Sequence, residues 1–362
     1  MELVQPSQPS GEVQIQKISY SRIKSWRRCP REHFYRWGLA LEKKKPAIQL
    51  VRGKILHELL EARIEKEPWE PVLATHEKEY AQLFQEEKDE FGDVPGDIRK
   101  IFNGYIRKYE NDRIEYLEFP VEKKQKDGTK VTVLRHSEIP VEFELFPGAR
   151  FKMVLDALAK DTQGNVWIVE HKTHKKLPDD EVRMSALQAI IYVWALPKAG
   201  FPKPVGILWD YLRTKAPVIP EQLKGGGLSK RKNIDSNYHT YLGEVERLGL
   251  NPADYQDILN LLRVKQDNFY RRVYFPAPSE HTINEVVEDF IESAKEIVEL
   301  GAKKKTRALS PFTCKGCSYA TLCRAELLDL DPEFVTRRDY KKKGEKEERE
   351  EIEEGADGED ES

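Results

Sequence analysis

Three residues in this chain combine types and spacing that suit hydrolytic chemistry: Asp156, Glu170 and Lys172. They lie in FKMVLDALAKDTQGNVWIVEHKTHKK, residues 151–176. Residues 151–158 and 166–169 are apolar runs and residues 161–164 carry turn chemistry, so the segment reads as two strands joined by a short polar turn. A carboxylate inside an apolar strand is costly to bury unless it is paired or holds a cation, which singles out Asp156. Strand alternation places Glu170 and Lys172 on one face. Two carboxylates and a backbone carbonyl can hold Mg²⁺ or Mn²⁺, and the lysine can orient a water or offset developing negative charge. Taken alone, the same spacing also suits a solvated hairpin with a surface glutamate and lysine, so the rest of the chain must decide.

Several elements could position such a site. Residues 1–17 are polar and read as a flexible lead-in. A helix follows, capped by Ser19 or Ser21, with Ile23 and Trp26 on one face; it ends near Cys29, because Pro30 opens a second helix through Phe34, Tyr35 and Trp37. Gly53 suits a turn or a close backbone approach ahead of a helix with Leu56, Leu59 and Leu60 as its apolar stripe. His57 borders that stripe, and Glu61 lies one turn on. Residues 65–120 read as helices forming a lobe over the site. Residues 118–146 read as a hairpin leading into the core strands.

Downstream, residues 179–196 have strong helical periodicity and stack Gln188 and Tyr192 one turn apart. Residues 204–212 read as a strand at the far side of the sheet. Residues 214–241 read as a flexible basic loop, in which Lys224, Lys230, Arg231 and Lys232 suit phosphate contacts. Residues 242–305 return to helical periodicity, with a mixed aromatic and basic cluster at 269–272 and one long amphipathic helix over 280–300.

Charged residues make up 34% of the 362 residues, and no apolar run approaches the length of a bilayer span. The N-terminus lacks a secretory pattern, which favours the cytoplasm. Residues 341–362 hold eleven acidic and five basic residues, a net of −6, so the remainder of a chain with net charge −3 carries +3. Residues 338–362 are charged and of low complexity and are expected to be a disordered acidic tail that aids solubility. No Walker-type phosphate loop is present, which excludes a helicase motor.

The chain has four cysteines, too few for a disulfide scaffold. Cys314, Cys317 and Cys323 are spaced C-x2-C-x5-C, which asks for a metal, and Cys29 completes a set of four thiolates. Such a set suits a [4Fe–4S] cluster or a structural Zn²⁺.

Taken in order, these motifs resemble the iron–sulfur branch of the PD-(D/E)XK nucleases, which includes nuclease domains of recombination complexes, CRISPR-associated exonucleases and phage-encoded relatives. The residues that carry the resemblance are Ser19, Ser21, Ile23, Trp26, Cys29 and Pro30; Gly53, His57 and Glu61; Asp156, Glu170 and Lys172; Gln188 and Tyr192; and Cys314, Cys317 and Cys323. The resemblance implies an α/β, restriction-endonuclease-like fold: a mixed central sheet flanked by helices, with an added helical region. It implies one nuclease domain over residues 18–330, closed by an Fe–S cluster that joins its N- and C-terminal segments.

It further implies a Mg²⁺- or Mn²⁺-dependent DNA exonuclease acting in recombination, repair or phage DNA processing. His57, Asp156, Glu170 and the carbonyl of His171 are the implied metal ligands, and Lys172, Gln188 and Tyr192 complete the catalytic set. A recombination or replication protein is an expected partner. The rival expectations are an end-processing endonuclease and a non-catalytic DNA-end-binding accessory protein.

Overall fold

The computed structural model describes residues 15–45, 47–125, 127–177, 187–301, 303 and 305–344. Contacts divide the chain into two compact units, one of residues 1–23 and 46–298 and one of residues 24–45 and 299–362. The second unit has an apolar core of its own, around Tyr35, Leu41, Tyr319 and Leu322.

The first unit is built on a mixed sheet that contains seven strands among the described residues. Its members are β1 (Gln16–Ile18), β3 (Glu115–Tyr116), β6 (Ser137–Phe146), β7 (Ala149–Lys160), β8 (Val166–His174), β9 (Gly206–Arg213) and β10 (Tyr270–Pro276), along a path β1-β7-β8-β9-β10 with β3 and β6 also on β7. β8 and β9 run parallel, and β9 is buried almost throughout, as an apolar strand covered on both faces should be. This mixed α/β architecture matches the fold class read from the sequence.

The central ladder opens at one place. β7 and β8 pair antiparallel only from Lys160↔Val166 to Ala157↔Val169. Beyond that point β8 stays with β9, from Glu170↔Trp209 to His174↔Arg213. β6 occupies one edge of β7 from residue 149 to residue 157, so β1, at residues 149–151, shares the other edge with β8. Between them, residues 152–156 of that edge face no strand among the described residues. Asp156 and Glu170 are the first residues past the last β7–β8 pair.

Helices cover the sheet. Helix α1 (Tyr20–Arg28) starts at Ser19, whose Oγ accepts from the Arg22 amide at 3.3 Å, as a cap should. The expected helical insertion is present as α4 (Glu70–Ala81), α5 (Gln85–Phe91) and α6 (Val94–Lys108). α4 and α6 bury Leu73, Ile98 and Phe102 against Leu56, Leu59 and Leu60 of α3 (Ile48–Ile64). α7 (Leu187–Lys198) carries Gln188 and Tyr192, while the start of the expected helix, residues 179–186, lies outside the described residues.

Four expectations need correction. β9 is not at the far side of the sheet, because β10 pairs with it along its whole length. The 269–272 cluster is not helical: Tyr270–Pro276 is a strand, with Tyr270 buried and Tyr274 exposed. The 118–146 region is a hairpin of β4 (Phe119–Lys124) and β5 (Lys130–Arg135), followed by a separate strand, β6, that pairs with β7. Residues 214–241 are not a bare solvated loop, because Leu228 and Tyr241 pack against Tyr255 and Leu259, and Asn237 caps α8 (Tyr238–Arg247).

In the second unit, Pro30 opens the short α2 (Pro30–His33), with Cys29 at its N-cap position. β2 (Leu41–Lys43) pairs antiparallel with β11 (Tyr340–Lys342), which follows the helix Pro332–Asp339. The stretch expected to be a tail from residue 338 is therefore structured through the β11 strand, because Tyr340 is 3% exposed within the unit's core.

Candidate active site

The opened ladder decides where the carboxylates sit. Asp156 Oδ2 accepts from the backbone amide of His171 at 2.6 Å, so it bridges the gap just where strand pairing stops. Burial, followed by the nearby charge of Glu170, pushes the Asp156 carboxyl up to about 7. Glu170 is 4% exposed, and its two oxygens are treated differently. Oε1 accepts from Lys172 Nζ at 2.5 Å and from Gln188 Nε2 at 2.6 Å. Oε2 is buried and has no hydrogen-bond partner among the described residues. A bare, buried carboxylate oxygen is costly and asks for a cation or a donor brought from outside.

β8 divides the site between two faces. Glu170 and Lys172 point to the face that carries Gln188. His171 and Thr173 point to the opposite face, covered by α3, where the His57 and His171 rings meet edge-on at 6.2 Å. Gly53 permits this closeness: a Cβ there would lie 2.8 Å from Thr173 Oγ1. His57 follows one turn later on the same helix face. Burial, reinforced by His171 and Lys172, pushes its imidazole down to about 3, so the ring is neutral with a lone pair available. Tyr192 lies one turn beyond Gln188, and burial raises its phenol. Among the described residues, no three His, Cys, Asp or Glu side chains stand close enough together to hold a metal ion. The division of His57 and Glu170 between two faces agrees with that.

The structure adds residues that the sequence reading passed over. Trp209 pairs in register with Glu170 and so shares its face, and Lys172 Nζ sits 5.8 Å from the indole centroid. On the other face Asp210, fully buried, lies 3.3 Å from His171 Nδ1 and 3.2 Å from Arg272 Nε, and it accepts the Tyr105 hydroxyl. Burial alone would raise the Asp210 carboxyl, but Arg272, His171 and Tyr105 hold it at about 2. Tyr20, at the start of α1, lies within electrostatic reach of Lys172 and Glu170. One signal was available in the sequence: Asp210 interrupts an apolar strand just as Asp156 does.

The basic residues proposed for phosphate contact behave unequally. Lys224, Arg231 and Lys232 are exposed. Lys230 is tied into the fold, donating to the Asp254 carbonyl at 2.6 Å and lying 4.8 Å from the Tyr255 ring centroid.

All four cysteines are in the second unit and form no disulfide. Cys29, Cys314, Cys317 and Cys323 line one cavity of about 350 Å³, together with Arg31, Glu32 and Arg307. Burial raises the Cys317 thiol. Glu326 fixes one wall by accepting from Tyr35 at 2.5 Å and from Arg307 at 2.6 Å.

The sequence profile of the PD-(D/E)XK nuclease superfamily matches residues 17–324. The chain belongs to that superfamily. Membership makes it a nuclease by descent, with DNA as the substrate class and a divalent metal such as Mg²⁺ as the usual cofactor. Among curated proteins none matches. A solved structure titled "Crystal structure of SSO0001" is similar at 15% identity over 75% of this chain and 84% of that one, with a TM-score of 0.24. No helix among the described residues is long and apolar enough to cross a membrane.

Proposed function

We propose that this PD-(D/E)XK protein is a Mg²⁺- or Mn²⁺-dependent DNA exonuclease that hydrolyses phosphodiester bonds from DNA ends, in the cytoplasm, during recombination, repair or phage DNA processing. One observation carries the reading: Asp156 and Glu170 stand side by side where the ladder opens, with Glu170 Oε2 buried and bare. The donor types suit a hard divalent ion, with the Asp156 and Glu170 carboxylates and the His171 carbonyl as ligands and the neutral imidazole of His57 as a fourth that would have to be drawn towards the carboxylates from where it stands. When bound, such an ion supplies Lewis-acid activation of the phosphate and of the attacking water.

The chain's own groups do the rest. Gln188 and Lys172 hold Oε1 of Glu170, which leaves Oε2 open to accept a cation without displacing either donor. Lys172 Nζ orients the water and offsets charge as the phosphorus gains a fifth oxygen. Tyr192 braces Gln188, one helical turn away. Lys224, Arg231 and Lys232 supply sequence-independent phosphate contacts. The four cysteines would hold a [4Fe–4S] cluster by drawing closer together than they stand here, and it would fasten the chain's distant segments and do no redox work in hydrolysis. Four thiols on one cavity with no disulfide support that role, and structural Zn²⁺ is the alternative.

Digestion of end-labelled DNA by wild type and by Asp156→Ala/Glu170→Ala tests the site. Wild type should shorten labelled ends with Mg²⁺ or Mn²⁺ and leave covalently closed circles intact, while the folded double variant should do neither. Cutting of circles would make the protein an endonuclease. Metal-dependent degradation by the double variant would dismiss the site. Iron content and an absorbance band near ~400 nm separate the cluster from zinc.

A further inference from the structure

The second unit carries a concentration of positive charge that the nuclease site does not explain. β2 and β11 form a two-stranded ribbon in the register Lys43↔Tyr340, Glu42↔Lys341 and Leu41↔Lys342, extended by the Lys343 amide on the Ala40 carbonyl at 2.7 Å. Leu41 and Tyr340 point into the core and anchor the ribbon. Lys43, Lys44, Lys45, Lys342 and Lys343 are exposed along it, with Lys341 half-buried. Residues 42–45 and 338–343 hold seven basic residues against Glu42 and Asp339, a net of +5. Asp339 is already engaged by Arg338 through contacts of 2.6 and 2.8 Å. The one charged cross-strand pair is the opposite-sign Glu42↔Lys341, so the net charge comes from the lysines at the ribbon's ends, and that charge favours a polyanion beside the ribbon.

A polyanion of matching size begins at the ribbon's own end. β11 finishes at Lys342, and from Glu345 to Ser362 the chain has eleven acidic residues against two basic ones, a net of −9. Only Lys343 and Gly344 separate strand from acidic run, so the effective concentration of that run at the ribbon is high. We propose that the β2–β11 ribbon is the docking surface of the chain's own C-terminal segment, residues 345–362, and that nucleic-acid phosphates compete with that segment for the same lysines. The segment is then an internal competitor that sets the threshold for nucleic-acid binding, which assigns it a role beyond solubility. The competition rests on the nucleic-acid substrate proposed above; the docking does not.

The test compares the full chain with a chain ending at Gly344, each with the native ribbon and with Lys44→Gln/Lys45→Gln/Lys342→Gln/Lys343→Gln. All four substituted lysines are exposed, so the core is untouched. Anisotropy of a short fluorescein-labelled oligonucleotide, without added divalent metal, reads affinity at about 50 and about 200 mM salt. With the native ribbon, removing the segment should tighten binding roughly ten-fold or more at the lower salt, and the gain should shrink at the higher. With the neutralised ribbon the gain should fall below about two-fold. A labelled peptide of residues 345–362 should bind the shortened native chain and not its neutralised counterpart. Equal gains with both ribbons would reduce the effect to overall net charge and overturn the proposal, as would a peptide that binds both shortened chains alike or neither. Peptide binding confined to the native ribbon, with no oligonucleotide bound by any form, would support the docking and refute the competition together with the nucleic-acid reading.

Discussion

Substituting Gly53 by alanine sets two effects of known size against each other. In the middle of a helix, alanine is favoured over glycine by about 0.8–1.0 kcal/mol, so an open site would be stabilised. Here the new Cβ would lie 2.8 Å from Thr173 Oγ1, where ordinary contact starts near ~3.4 Å. Thr173 is β-branched and lies on β8, which is paired with β9 at that point, so neither its rotamer nor its backbone moves freely. Overpacking of this kind costs about 1–3 kcal/mol. We therefore expect Gly53→Ala to destabilise the protein by roughly 0–2 kcal/mol, and to push α3 off β8 so that His57 meets the site less well.

Urea unfolding should be measured for Gly53→Ala, Thr173→Ala and the double variant, with Mg²⁺ dependence of DNA hydrolysis alongside. Because the obstruction is Thr173 Oγ1 itself, the double variant should be more stable than Thr173→Ala by about 0.5–1 kcal/mol, the propensity gain alone. If Gly53→Ala alone is more stable than wild type, or if Thr173→Ala fails to rescue it, the close approach does not place the helix and the reasoning is wrong.

Other outcomes follow from the same geometry. Trp209→Leu removes the ring beneath Lys172 and should lower kcat by roughly 2- to 30-fold with KM little changed, whereas Trp209→Phe should retain much of the activity; in a Lys172→Met background the leucine change should cost nothing more. Asp210→Ala removes one of the two carboxylates on buried Arg272 and leaves Asp112, so in chemical denaturation it should cost less than the about 3–5 kcal/mol of a buried charge left unpaired. Arg213 and Lys215 together outweigh burial and hold Asp235 at about 2, below its ordinary 3.8. A depressed carboxylate stabilises the fold fully above its unfolded value and loses that contribution as pH falls through its folded one. The stability gap between wild type and Asp235→Asn should thus be constant above pH ~4 and close towards pH ~2.

The sequence made the strand–turn–strand segment around Asp156, the α3 stripe and the 280–300 helix legible, because each repeats apolar residues at a period that only one kind of element satisfies. The buried face of that last helix, with Ile283, Val287, Phe290, Ala294 and Ile297, is the expected one. What stayed hidden was pairing. Residues 270–276 alternate too briefly to be separated from neighbouring helical periodicity, and only their partnership with β9 makes them a strand. The gap between β7 and β8 has no local signature at all, since β8 keeps β9 on its other edge from residue 167 to residue 174 while its pairing with β7 stops at residue 169. The same holds for Trp209 and Asp210, which acquire meaning from the residues opposite them. The Gly-rich 214–241 stretch misled because few apolar residues, chiefly Leu228 and Tyr241, suffice to fold it down.

The composition of the second unit bears on how the protein is made. Its two pieces, residues 24–45 and 299–362, are separated by 253 residues of intervening chain. At a synthesis rate of about 5–20 residues per second, the early piece waits roughly 13–50 s for its counterpart. Throughout that interval Tyr35 and Leu41 have no core to enter, because Tyr319, Leu322 and Tyr340 do not yet exist. A ribosome that stalls or terminates in the intervening stretch releases a chain whose first unit can mature while a sticky early segment stays uncovered. This unit can thus form only once residue 340 has been made, and until then the early segment is where a holding chaperone would engage.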